Sequence, residues 1–94
     1  MKKLFDSLRT PTHERIELAV QKRAYCASEV EYHRLLSSYY AVEMTKVNPH
    51  DSVESAFEFA RLFQKYEEHI EERELEQRKL NDAIAKHEAL VASA

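Results

Sequence analysis

None of the 94 residues is glycine, and only two, Pro11 and Pro49, are proline. A β-rich domain of this length needs several tight turns, and those turns recruit glycine for backbone angles that other residues resist. The chain is therefore expected to be all-α, with very few reversals. Its length suits one domain. Hydrophobic residues make up 44% and charged residues 33%, too apolar and too periodic for disorder. No run of about 18 apolar residues occurs, so no membrane span is expected.

The prolines punctuate the helical text. Thr10-Pro11 reads as a helix start, because threonine caps and proline suits the first helical position, where its missing N–H is not needed. Nothing then breaks the helix until about Lys46. Asn48-Pro49 repeats the signal, and Asp51 with Glu54 offers a second cap. A proline inside a helix costs roughly 3 kcal/mol, and the residue before it is pushed out of helical conformation. The expected architecture is a long two-helix antiparallel hairpin. Helix 1 covers about 11–46, a turn about 47–50 and helix 2 about 50–90, with Pro49 opening the second helix.

Two apolar patterns run along these helices. In the second half, Ala56, Phe59, Phe63, Tyr66, Ile70, Leu80, Ile84 and Val91 fall on one seam with spacings of three and four, and Arg73, Gln77 and His87 also hold seam positions. This is a coiled-coil pattern that turns polar partway along. In the first half, Leu18, Tyr25, Tyr32 and Tyr39 recur every seven residues, with Leu36 beside them. Roughly opposite lie Ile16, Ala19, Val20, Ala27, Val30, Ala41 and Met44. A helix apolar on two sides is normally buried between neighbours, and a hairpin covers only one side. The expected internal side is the aromatic one, with Tyr25, Tyr32 and Tyr39 against Phe59, Phe63 and Tyr66. Ile16, Ala19, Val20, Ala27, Val30 and Ala41 are then the expected homodimer interface, closing a four-helix bundle. The alternative is that Tyr25, Tyr32, Tyr39 and Tyr40 line a groove for a protein partner, with Tyr39-Tyr40 most exposed. Residues 1–9, with Leu4, Phe5 and Leu8 at helical spacing, form a tail or a short extra helix.

Chemistry finds little foothold. Di-iron bundles use Glu-x-x-His pairs, but Val30, Tyr66 and Ile84 stand three residues before His33, His69 and His87. His13-Glu14 begins a metalloprotease-like pattern, but Glu17 replaces its second histidine. No glycine-rich phosphate loop is available. Cys26, flanked by Ala24, Tyr25 and Ala27, reads as a small buried residue rather than a nucleophile. The expectation is a non-enzyme with no catalytic residues, no metal and no cofactor. Residues 1–47 carry eight Lys/Arg and six Asp/Glu, against six and eleven in residues 48–94. This interleaved and increasingly acidic pattern repels phosphate, so nucleic acid is not the expected partner. The lysines of "MKKLFDSLR" precede no apolar stretch, and a lone cysteine makes no internal disulfide. The expected setting is a reducing cytoplasm.

Phe5, Leu8, Thr10-Pro11, Glu14, Glu31-Tyr32 and Tyr39 lie in a segment that resembles the start of small helical accessory proteins encoded by tailed phages and prophages. The likeness covers about the first 40 residues. It implies a setting, the cytoplasm of a bacterial host, and no mechanism. The expected function is that of a small protein-binding regulator or inhibitor acting on a host or phage protein. The alternative is a helical chaperone or assembly factor that masks a helix of its client.

Overall fold

The computed structural model describes residues 12–94. Two helices account for nearly all of them: α1, Thr12–Thr45, and α2, Val53–Ser93. At about 1.5 Å per residue, α2 is roughly 60 Å long. The helices pack side by side and antiparallel, so the protein is a helical hairpin with no strand among the described residues. The Thr10-Pro11 start and the segment 1–9 lie outside the described residues.

The turn shows how a glycine-free chain reverses. No described residue has a positive φ. α1 closes with short-range bonds instead: Lys46 N–H donates to the Glu43 carbonyl at 3.1 Å and Val47 N–H to the Met44 carbonyl at 3.3 Å. Asn48 then holds the corner. Its Oδ1 accepts from His50 N–H at 3.0 Å, and its carbonyl accepts from Asp51 N–H at 3.2 Å. Pro49 sits inside this corner rather than opening α2, which corrects the sequence expectation. The cap is Ser52, in extended backbone, with Oγ accepting from Ser55 N–H at 3.0 Å. Asn48 is occupied by the turn and cannot also cap, so α2 begins four residues later than the Asn-Pro signal implies.

Heptad spacing sets the packing. On α1 the seam runs Ile16, Ala19, Arg23, Cys26, Val30, His33, Ser37, Tyr40 and Met44, each buried or half-buried. On α2 it runs Ser55, Phe59, Leu62, Tyr66, His69, Glu76, Leu80, Ala83, His87 and Leu90, with the exposed Arg73 between His69 and Glu76. The deepest points are mostly small: Cys26, Leu62 and Ala83 are 4% exposed and Ser37 3%, and among the described residues no large side chain is fully enclosed.

The α2 seam is half the expected one. Phe59, Tyr66, Leu80 and His87 face α1 as predicted, but Leu62, His69, Ala83 and Leu90 take the intervening places expected for Phe63, Ile70, Ile84 and Val91. Both sets share alternate members and the same spacing, so α1 must decide between them. It offers His33 and Tyr40 to His69, which only the observed line contains, and Arg23 to His87, which both share. Polar groups entering the seam thereby find partners, while Cys26, Ser37 and Ala83 let the backbones approach.

Candidate functional site

The seam pairs fix how α1 and α2 sit. Arg23 NH1 lies 3.2 Å from His87 Nδ1, and His33 Nδ1 lies 2.9 Å from His69 Nδ1. The His69 ring also stacks on Tyr40, with centroids 5.7 Å apart and planes 8° from parallel. These contacts make Tyr40 a seam residue. It is half-buried, which corrects its expected place in an exposed stripe.

The other tyrosines point outward. Tyr25, Tyr32 and Tyr39 are between 55% and 65% exposed, and Leu18, one heptad earlier, is 60% exposed. The expectation that they pack inside the hairpin against Phe59, Phe63 and Tyr66 is therefore overturned. A seven-residue repeat identifies one line along a helix but not which line faces the neighbour. These tyrosines follow the seam positions Arg23, Val30 and Ser37 by two residues, about 200° around the helix. Successive tyrosines stand roughly 10 Å apart, two turns each.

Beside this line runs a row of ion pairs on α2. Arg61 NH2 bonds Glu58 at 2.8 Å, Lys65 Nζ lies 3.4 Å from Glu68, Lys79 Nζ 3.1 Å from Glu76, and Lys86 Nζ 3.0 Å from Asp82. The bond from Arg61 holds the Glu58 carboxyl below its ordinary range, and the bond to Glu76 raises Lys79 above its own. The two elements meet in a hollow of about 370 Å³ lined by Lys22, Tyr25, Cys26, Glu76, Lys79 and Asp82. Sequence spacing alone could find the i,i+3 and i,i+4 pairs. Their place next to the tyrosines needed the true seam.

The side opposite the tyrosines is differently built. Val20 and Ala27 are exposed there and Ala41 half-buried, beside Phe63, Ile70, Ile84 and Val91 of α2. Ile16, Ala19 and Val30, expected with them at a homodimer interface, instead occupy the seam within the chain. The six residues thus divide between two surfaces.

Beyond the His33–His69–Tyr40 cluster, the remaining described histidines and the cysteine lie apart from one another. His13 and His50 are exposed, and Cys26 is buried in the seam. Among the described residues, no three of His, Cys, Asp and Glu are placed to hold a metal ion. No described helix is long and apolar enough to cross a membrane. No protein-family model, curated protein or solved structure matches the chain.

Proposed function

We propose that this protein is a non-enzymatic binding module, a small regulator or inhibitor that docks on a larger protein through Tyr25, Tyr32 and Tyr39. The supporting observation is their exposure in line beside a row of ion pairs. Tyrosine offers a large apolar body with a polar tip and loses little conformational freedom when fixed, which suits it to interfaces. Its neighbours supply the rim. Lysines, arginines and carboxylates along α2 give polar contacts that set register and exclude wrong partners more than they add affinity. The resemblance of the first 40 residues to phage accessory proteins supports a bacterial cytoplasm as the setting and a host or phage protein as the target.

The test is reconstitution. Proteins retained from bacterial lysate by the wild type and lost by a Tyr25→Ser/Tyr32→Ser/Tyr39→Ser variant are to be expressed and titrated in purified form. Direct, saturable binding that the variant lacks supports the proposal. A purified target bound equally by both chains sinks it.

A further inference from the structure

The side opposite the tyrosines carries apolar groups that the described residues leave uncovered. Phe63 and Val91 of α2 are exposed, Ile70 and Ile84 half-buried, and the adjoining α1 positions are Val20, Ala27 and Ala41. We infer that this side pairs with the same side of a second copy, giving a four-helix bundle with both turns at one end and the tyrosines outside.

Three observations favour a second copy as the occupant. The first is the thin core. Among the described residues no large side chain is fully enclosed, whereas ordering each residue costs about 1–2 kcal/mol of backbone entropy. No disulfide joins the helices, since the one cysteine is free. A two-helix layer that encloses so little gains from further burial, and a second copy is the cover present wherever the chain is.

The second is shape. The Arg23–His87 and His33–His69 contacts put Val20 roughly level with Ile84 and Ala41 roughly level with Phe63. A two-fold axis along the hairpin lays α1 of one copy over α2 of the other at the same level. Large groups then meet small ones: Phe63 comes over Ala41 of the second copy and Ile84 over its Val20. A hollow of about 420 Å³ lined by Ala41, Met44, Thr45, Phe59 and Tyr66 receives the phenyl ring. One surface used twice suffices in such a pair.

The third is charge. Arg34, whose guanidinium also bonds Glu31 on its own helix, is the basic residue that α1 places among Val20, Ala27 and Ala41. The same axis brings it level with Glu71 and Glu74 of the second copy, at the edge of the contact, where opposite charges favour this register over a shifted one.

Sedimentation equilibrium at micromolar concentration tests the pairing. The expected mass is twice that of the 11.1 kDa chain, for the wild type and equally for the triple tyrosine-to-serine variant. Phe63→Glu and Ile84→Glu are each expected to raise the dimer dissociation constant at least tenfold. A wild type that is a folded monomer, or assembles beyond two copies, overturns the inference. So does a dimer that both glutamate variants leave intact. A spin label at His50→Cys, in a Cys26→Ala background, tests the orientation. Turns at one end predict an inter-copy distance well below the roughly 60 Å length of α2, and a distance near that length overturns it. A target bound equally by the wild type and the triple tyrosine variant, with the dimer intact, would strike the proposed function and leave this inference standing.

Discussion

His33 and His69 approach each other across the hairpin with their Nδ1 atoms 2.9 Å apart, and the face of the His69 ring is covered by Tyr40. This is a polar layer in a seam that flanking residues keep mostly apolar or small. It joins α1 to α2 at one register, because a slip would leave both rings without partners. Replacing one member leaves the other unpaired, whereas replacing both with apolar groups removes the need. His33→Ala alone is expected to cost about 1 kcal/mol. His33→Leu/His69→Leu is expected to match or exceed wild-type stability in urea unfolding. A double variant less stable than the single would show that the pair does more than satisfy itself.

Ser52 tests the corrected start of α2. Its Oγ accepts the Ser55 N–H bond, so Ser52→Ala is expected to cost about 1 kcal/mol and Ser52→Asp to cost little. Asp51→Ala, by contrast, should have the smaller effect, since Asp51 serves the turn through Asn48 rather than the helix end. Thermal unfolding by circular dichroism reads all three.

Leu62 is the one large aliphatic side chain at 4% exposure. Leu62→Ala is expected to destabilise by about 2–5 kcal/mol through lost burial and the cavity left behind. Phe57, 72% exposed, bears no such load, and Phe57→Ala should fall within about 0.5 kcal/mol of wild type. Equal effects at both positions would contradict the seam described above.

The exposed ion pairs have a predictable pH signature. Hydrogen bonds from Arg34 and Arg61 lower the Glu31 and Glu58 carboxyls. A lowered folded-state value stabilises above the ordinary carboxylate range and is lost as pH falls through the depressed value. Glu31→Gln/Glu58→Gln should therefore differ from wild type at neutral pH, and the difference should vanish in acid. Salt should shrink it at neutral pH, because both pairs are open to solvent. A growing difference as pH falls would reverse the sign of this account.

The hairpin was legible because punctuation is local. Absent glycine and a lone Asn48-Pro49 leave one place to reverse, and the helices lie on either side of it. The cap was not, because Asn48, Asp51 and Ser52 all have capping chemistry, and only the fold shows which is already engaged in the turn. The seam was half legible. Phe59, Tyr66, Leu80 and His87 belong to two competing heptad lines. Apolarity favours Phe63, Ile70 and Ile84 as their companions, while the structure uses Leu62, His69 and Ala83. His69 is admitted because α1 supplies His33 and Tyr40 opposite, a long-range match that spacing within one helix cannot reveal. The tyrosine line was visible as a repeat, and its outward direction followed only once the seam was known.

The most direct measurement of the central claim is the affinity of a purified target for the wild type and for Tyr25→Ser/Tyr32→Ser/Tyr39→Ser, taken with helicity recorded on the same samples. Three exposed tyrosines acting as the docking line predict at least a tenfold loss of affinity, about 1.4 kcal/mol or more, with helical content unchanged. Equal affinity at equal helicity would contradict the claim and move the binding surface elsewhere on the hairpin.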